Sequence, residues 1–241
     1  MSSTRCIQLW SGPRNVSTAL MYSFAQRSDT QVWDEPLYAY YLRETGVDHP
    51  GREETLAHDE QDGERVVNRM LRGEWEKPVL FCKQMGHHLV DLRTDWLAEC
   101  ENVFLIRHPA EVINSFSKVI PHPDLRDIGI SHQWALFQEL QAKGKTPVVL
   151  DGNEILKDPQ KILRDACTRL GIGFDPAMLS WQAGARPEDG VWAKYWYAGV
   201  HQSTGFAPYQ PKSRDVRPDL EPLLASAMPA YEALAGYAMR G

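Results

Sequence analysis

Short apolar runs alternate along the chain with longer stretches in which apolar residues recur every three or four positions. The short runs are rich in Val, Leu, Ile, Phe and Trp, which favours β-strands. We predict strands at residues 5–10, 30–34, 78–83, 102–106 and 146–150. Three of these runs are continuously apolar rather than alternating, as expected of parallel strands covered on both faces.

The intervening stretches have the apolar spacing of amphipathic helices. We predict helices at about residues 16–28, 53–72, 109–119, 131–144, 159–171 and 218–235. Strands that alternate with helices imply right-handed crossovers between parallel strands. The pattern therefore predicts an α/β fold, a three-layer α/β/α sandwich around a mainly parallel central sheet.

Two stretches lack this periodicity. Residues 44–64 are polar and are expected to form a surface excursion, whereas residues 182–218 are rich in Gly, Pro and aromatic residues. Loops of that length in compact domains are usually lids or binding loops, so we expect the second stretch to fold over the top of the sheet as a lid or binding loop. A chain of 241 residues can bury one large core, and we predict a single domain over residues 1–241.

Composition narrows the function classes. A net charge of −6 argues against a nucleic-acid or anionic-membrane partner. No apolar run reaches the roughly 18 residues of a membrane span, and the first strand begins too early to leave room for a signal peptide. The four cysteines form no CxxC pair, so we expect reduced thiols in a cytoplasmic protein and no zinc site.

The turn after the first predicted strand, residues 11–18, is a candidate anion site. Ligands of parallel sheets bind beyond the carboxyl ends of the strands, and a helix N-terminus presents unpaired N–H groups to an anion. The Walker A pattern fails, because Thr18 stands where its lysine should be. A Gly-Pro turn followed by a Ser/Thr-capped helix uses the same residue types. The turn alone therefore leaves both interpretations open.

A second segment, VFLIRHPAEVINSFSK, runs from a predicted strand through Arg107 into Pro109, at a helix start, and on to Ser115. Together with the turn at residues 11–18, it resembles the sulfotransferase superfamily, whose fold is of the P-loop NTPase type. The later VVLDGNEILKDPQKILRDACTRLGI is also similar to a strand–acidic turn–helix element of that family. The resemblance covers roughly residues 4–172.

The resemblance implies a sulfotransferase that uses 3′-phosphoadenylyl sulfate and no metal. The sulfuryl group would pass to a hydroxyl or amine of a small-molecule acceptor, leaving adenosine 3′,5′-bisphosphate. The family's first loop binds the 5′-phosphosulfate, and its later Arg-x-Pro…Ser element binds the 3′-phosphate. The implied donor-binding residues here are Pro13, Arg14, Asn15, Val16, Ser17, Thr18, Arg107 and Ser115.

Three positions depart from the family pattern. Val16 replaces the loop glycine, and a β-branched residue resists positive φ. The family's Lys-x-His is here Lys83-Gln84-Met85, and methionine cannot accept a proton. The late basic signature of the 3′-phosphate site has no clear counterpart unless Lys212 or Arg214 substitutes for it.

Sulfuryl transfer needs cations for the moving group and a base for the acceptor proton. Arg14 and Lys83 are the candidate cations. We predict Glu35, just beyond the second strand, as the base, since some branches of the family use a glutamate there. Alternatives are a base role for His87 or His88, a solvated Glu35 at a helix start, and a His-His pair that lies at the surface or caps a helix.

Other assignments stay open from the residues alone. His108, beside the second motif, is expected to pack. Four aromatic residues of the 182–218 stretch line an acceptor pocket or form that loop's own core; they are Trp192, Tyr195, Trp196 and Tyr197. Two other function classes remain: a P-loop phosphotransferase that uses a nucleoside triphosphate, and a non-catalytic nucleotide-binding protein on the same fold.

Overall fold

A computed structural model of the chain describes residues 4–241. Its centre is a five-stranded sheet in the order β2-β3-β1-β4-β5, and every neighbouring pair of strands is parallel. The strands are β1 (Arg5–Ser11), β2 (Thr30–Asp34), β3 (Val79–Met85), β4 (Glu101–Ile106) and β5 (Val148–Asp151). All five predicted strands are confirmed, with ends that shift by at most two residues.

Helices connect the strands. They are α1 (Ser17–Ala25), α2 (Tyr38–Thr45), α3 (Arg52–His58), α4 (Gly63–Arg72), α5 (Pro109–Phe116), α6 (Leu125–Ile128), α7 (Ile130–Ala142), α8 (Gly152–Lys157), α9 (Pro159–Arg169), α10 (Ala193–Trp196), α11 (Ala198–His201) and α12 (Glu221–Ala235). Short 3₁₀ helices lie at Gly86–His88, Asp95–Glu99, Pro176–Leu179 and Pro218–Leu220.

The prediction of one helix over residues 53–72 is wrong. The chain leaves the helical conformation at Asp59, and Asp62 starts a new helix by accepting hydrogen bonds from the N–H groups of Glu64 and Arg65. An aspartate in this position satisfies N–H groups that a continuous helix would bond internally. The polar stretch 44–64 therefore contains a short helix, α3.

Alternate residues of the strands enter two separate apolar clusters, one on each face of the sheet. From β1, Trp10 packs in the cluster that holds residues of α4, α7 and α12. Ile7 and Leu9 pack in the other cluster, with residues of α1 and α9. Burial on both faces explains the continuously apolar strands. The predicted three-layer α/β/α sandwich is confirmed.

The 182–218 segment has little regular structure apart from α10 and α11. A third apolar cluster joins it to α2, with Tyr38, Tyr41 and Leu42 packed against Trp192 and Tyr197. The amide of Gly190 reaches the end of β2, where it donates to Asp34 Oδ2 at 3.4 Å. The segment thus lies against the carboxyl-end edge of the sheet.

Among residues 4–241, no helix combines the length and apolar character needed to cross a bilayer. All four cysteines are buried with free thiols. The same part of the chain holds no group of three or more His, Cys, Asp or Glu side chains arranged to bind a metal ion.

Candidate active site

A cavity of about 410 Å³ opens where the carboxyl ends of the strands meet the 182–218 segment. One half is polar and is bounded by the loops that follow β1 and β4. The other half is mostly aromatic. The lining residues on the polar side include Pro13, Arg14, Asn15, Val16, Ser17, Thr18, Arg107, Ser115 and Lys212; those on the aromatic side include Tyr38, His49, Met85, His87, His88, Trp192, Trp196 and Tyr197; Glu35, Lys83 and Phe206 also line it.

The loop after β1 follows a backbone path that a valine tolerates. Val16 has a φ of −85°, and the positive φ of this loop, 56°, is at Arg14. The β-branched residue is therefore not strained. Close approach restricts Gly12, where a Cβ would lie 2.5 Å from the carbonyl oxygen of Ile128.

Helix α1 begins at this loop without a side-chain cap. Its N-cap residue is Val16, which has no capping hydroxyl, and Asn15 Oδ1 accepts from the Val16 amide at 2.9 Å. The interpretation of the motif as a Ser/Thr-capped helix is therefore wrong. Ser17 and Thr18 instead line the cavity at the first turn of α1, where helix N–H groups favour an anion.

The loops after β1 and β4 hold each other in place. Arg107 donates through Nη1 to the carbonyl oxygen of Arg14 at 2.9 Å, and Arg14 donates through Nε to Ser115 Oγ at 3.1 Å. Arg107 is oriented by the buried Glu111, whose Oε2 lies 3.0 Å from both Nε and Nη2. The two sequence motifs that carried the family resemblance therefore meet in one place.

The polar half has an excess of positive charge. Arg14 and Lys212 line it, and neither forms an ion pair with any carboxylate in residues 4–241. Burial, reinforced by the charge of Arg107, lowers the pKa of Lys212. Arg214 lies 3.7 Å from Glu111 and does not line the cavity. Cations crowded without counter-charges create a site for an anion.

A buried polar cluster lies between the two halves. Lys83 Nζ donates to Asp34 Oδ1 at 2.9 Å, to Glu35 Oε1 at 2.5 Å and to Tyr197 Oη at 2.7 Å. An ammonium group has three protons, so every donor of Lys83 is used. Burial disfavours its charge, but Asp34 and Glu35 outweigh burial and hold the pKa of Lys83 well above its usual value.

Glu35 is not a solvated carboxylate, so that alternative is wrong. It is 7% exposed, its backbone has a φ of 40°, and its amide donates to the carbonyl oxygen of Lys83 at 2.7 Å. Burial raises the pKa of Glu35; the charge of Asp34 adds to this effect and that of Lys83 opposes it. A buried carboxylate with a raised pKa beside a cavity has the character of a general base.

The two consecutive histidines are buried, so the prediction of a surface or capping pair is wrong. The ring of His88 stacks on Tyr41 at 4.7 Å and on Tyr38 at 5.0 Å between centroids. Burial lowers the pKa of His87 to about 3 and that of His88 well below its usual value. Imidazoles with so little proton affinity are poor bases near neutral pH.

Three of the four aromatic residues singled out in the 182–218 segment line the cavity; they are Trp192, Trp196 and Tyr197. Tyr195 lies outside and is 47% exposed. His108 caps α5 by accepting from the Ala110 amide at 3.3 Å.

Sequence reasoning missed Tyr38 and His49, which the structure places in the lining. Tyr38 lies between the predicted strand at residues 30–34 and the polar stretch 44–64, and His49 lies within that stretch, so neither was singled out. A hydrogen bond of 3.1 Å between Tyr38 Oη and His49 Nδ1 joins the start of α2 to the loop that follows this helix.

Comparison with known proteins identifies the family of this chain. A family model described as a sulfotransferase domain matches residues 5–238. Branched-chain-amino-acid aminotransferase-like protein 1 of Arabidopsis thaliana is 40% identical over 235 residues, a match that covers 97% of this chain and 42% of that protein. The similarly named protein 2 of the same plant is 40% identical over 229 residues, covering 95% and 41%. The chain therefore spans about two fifths of the length of these curated relatives.

Two solved structures share the fold. The sulfotransferase domain of the Synechococcus PCC 7002 olefin synthase aligns with a TM-score of 0.58 at 18% identity, covering 98% of this chain and 96% of that one. Mouse sulfotransferase SULT7A1, complexed with PAP, aligns with a TM-score of 0.50 at 13% identity, covering 98% and 90%. Because the family model matches nearly the whole chain, we conclude that this chain belongs to the sulfotransferase family.

Proposed function

We propose that this protein transfers a sulfuryl group from 3′-phosphoadenylyl sulfate to a hydroxyl or amine of a small acceptor. The observation that carries the proposal is a cavity with Arg14 and Lys212 on one side of a buried Lys83–Glu35 pair and aromatic side chains on the other; neither cation pairs with a carboxylate among residues 4–241. The anionic phosphate groups of the sulfuryl donor fit the cationic side of the cavity, and an acceptor fits the aromatic side.

The polar half has donors for both ends of such a nucleotide. We assign the 5′-phosphosulfate to the Arg14–Thr18 loop and the first turn of α1, since backbone N–H groups and the Arg14 charge favour an anion there. We assign the 3′-phosphate to Arg107, Ser115 and Lys212. The PAP bound to the mouse structural neighbour supports a donor of this nucleotide class.

We assign the base to Glu35. As the acceptor oxygen or nitrogen forms its bond to sulfur, the bond from sulfur to the 5′-phosphate oxygen breaks and the acceptor proton moves to the Glu35 carboxylate. Lys83 already donates to Glu35 Oε1, so we infer that it holds this carboxylate in place. With all its donors used, Lys83 leaves Arg14 and the loop amides to stabilise charge on the moving group.

The aromatic half suggests the character of the acceptor. Its walls include Tyr38, Trp192 and Trp196, and its two buried histidines are neutral. Lys83 lines the cavity beside it, and two carboxylates already accept from Lys83. We infer that the acceptor is a small molecule with an apolar or aromatic body and no anionic group, and that the 182–218 segment is the lid over it.

The donor assignment predicts how nucleotides stabilise the protein. At a concentration of 100 times its Kd, adenosine 3′,5′-bisphosphate should add about 2.7 kcal/mol to the unfolding free energy, which raises the Tm by about 5–11 °C for a chain of this size. At the same concentration, AMP should raise the Tm much less because it leaves the Arg107 side empty. A thermal-shift series makes the comparison.

Two results of that series would reject the assignment. Equal Tm shifts with the bisphosphate and with AMP would contradict a dedicated 3′-phosphate site. A larger shift with ATP that depends on magnesium would favour a phosphotransferase that uses nucleoside triphosphates. If the protein binds the bisphosphate but transfers no sulfuryl group to any acceptor in a broad screen, the result would favour a non-catalytic nucleotide-binding protein.

A further inference from the structure

The buried cluster beneath the cavity contains one side chain from the 182–218 segment. Tyr197 Oη accepts from Lys83 Nζ at 2.7 Å and donates to Asp34 Oδ2 at 2.6 Å. The Tyr197 side chain is almost fully buried. Its hydroxyl is therefore a bridge between the cation and one of the two carboxylates.

Both carboxylate oxygens of Asp34 have hydrogen-bond donors in this cluster. Asp34 Oδ1 accepts from Lys83, and Asp34 Oδ2 accepts from Tyr197 and more weakly, at 3.4 Å, from the amide of Gly190. Glu35 is held through Oε1 by Lys83. Both donors to Asp34 Oδ2 belong to the 182–218 segment, so Asp34 loses them together if that segment moves away.

Loss of these two donors changes how the hydrogen bonds of Lys83 are divided between Asp34 and Glu35. A buried carboxylate oxygen without a donor is costly, and the nearest replacement donor for Asp34 is the ammonium group of Lys83. The same loss frees the Lys83 proton that Tyr197 accepted, and this proton would turn to Asp34 Oδ2. The ammonium group would then move toward both oxygens of Asp34 and away from Glu35. Its hydrogen bond to Glu35, the third member of the cluster, would weaken.

We propose that Tyr197 is a positioning residue. When the 182–218 segment is docked, the Tyr197 hydroxyl accepts from Lys83 and donates to Asp34, and so holds the ammonium group where it also reaches Glu35. Docking of the 182–218 segment over the acceptor side then also orients the Glu35 carboxylate as the base. This inference rests on the proposed role of Glu35. It gives the segment a part in catalysis beyond covering the cavity.

A second contact holds the segment without touching this cluster. Tyr22 of α1 donates to Asp189 Oδ1 at 2.6 Å, and Asp189 Oδ2 lies 2.9 Å from His201 Nε2. The apolar packing of Trp192 and Tyr197 against α2 adds to this hold. Removal of the Tyr197 hydroxyl alone should therefore leave the segment docked, which allows the positioning role to be tested separately.

The test is Tyr197→Phe, with Tyr195→Phe as the matched control. Tyr195 lies in the same segment, is exposed, and has its hydroxyl 3.4 Å from Glu54 Oε1. Tyr197→Phe should lower kcat about 10- to 100-fold, a part of the 10²–10⁴-fold worth of a positioned base, and should keep the Kd for adenosine 3′,5′-bisphosphate within about twofold. The acid limb of its pH profile should move to higher pH. Tyr195→Phe should match the unchanged protein.

A measurement without turnover separates this proposal from the assignment of the base. The pKa of Glu35, followed by carboxyl-carbon NMR and identified by its missing signal in Glu35→Gln, should rise in Tyr197→Phe and stay constant in Tyr195→Phe. An unchanged Glu35 pKa together with unchanged kcat would overturn the positioning role. If the pKa rises but Glu35→Gln is fully active, the coupling stands and the base assignment fails.

Discussion

Glu35→Gln is expected to lower turnover by about 10²–10⁴-fold, the usual worth of a positioned general base. Glutamine keeps the size of the side chain and an oxygen that can accept from Lys83, but it cannot take the acceptor proton. Affinity for adenosine 3′,5′-bisphosphate should stay within about twofold, because no phosphate contact is lost. Steady-state kinetics with the labelled sulfate donor and a screened acceptor measures the first quantity, and calorimetry measures the second.

Stability and pH give two further readouts of the same variant. Burial raises the pKa of Glu35, so the native state disfavours its charged form. Neutralising it should therefore leave the unfolding free energy unchanged or slightly higher near neutral pH. The unchanged enzyme should lose activity as pH falls through this raised pKa, and Glu35→Gln should lack that acid limb.

The control for Glu35→Gln is Glu54→Gln, which removes the charge of an exposed carboxylate that pairs with Lys194. This control should retain full turnover. A fully active Glu35→Gln beside an inactive His88→Asn or His87→Asn would transfer the base role to the histidine pair. That outcome would contradict the low proton affinity that burial gives these rings.

Lys83→Met is expected to lower the unfolding free energy by about 3–5 kcal/mol near neutral pH, the scale of breaking a buried ion pair from one side. The side chains of Lys83, Asp34 and Glu35 are 0%, 1% and 8% exposed, so water cannot replace the lost cation. Chemical denaturation of both proteins measures the difference. The exposed Lys194→Met is the control and should change stability little.

The loss should depend on pH in a defined direction. Without Lys83, the pKa of Glu35 rises further above its unfolded value, so the native state binds more protons than the unfolded state. The deficit should be smallest at low pH, where Glu35 is protonated in both folded proteins, and should grow as pH rises through the raised native pKa of Glu35 in the unchanged protein. Adding Glu35→Gln to Lys83→Met should restore part of the stability. A deficit that is constant with pH and unaffected by Glu35→Gln would mean that lost packing, not buried charge, causes it.

The sheet and the two donor loops could be predicted because their signals are local. Continuous apolar runs mark strands covered on both faces, and each loop follows one such run directly. Parallel strands bring their carboxyl ends to one edge of a sheet. The contacts from Arg107 to Arg14 and from Arg14 to Ser115 follow from that placement.

The acceptor side could not be predicted because its features depend on packing between distant segments. The rings of His87 and His88 pack on Tyr38 and Tyr41 of α2, and a local sequence window around the two histidines contains neither tyrosine. Tyr197 meets Lys83 from 114 positions away. The backbone of the first loop is a similar case, since nothing in its composition shows that the positive φ falls on Arg14 and not on Val16.

The central claim is that the polar half of the cavity holds the 3′-phosphate of the sulfate donor through Arg107. The most direct test is a calorimetric cycle that measures the Kd of adenosine 3′,5′-bisphosphate and of AMP for the unchanged protein and for Arg107→Ala. We predict that Arg107→Ala weakens the bisphosphate by about 1.5–3 kcal/mol, roughly 12- to 150-fold, and leaves AMP nearly unchanged. An equal loss for both nucleotides, or no loss for either, would contradict the claim, because Arg107 would then at most support the Arg14 loop.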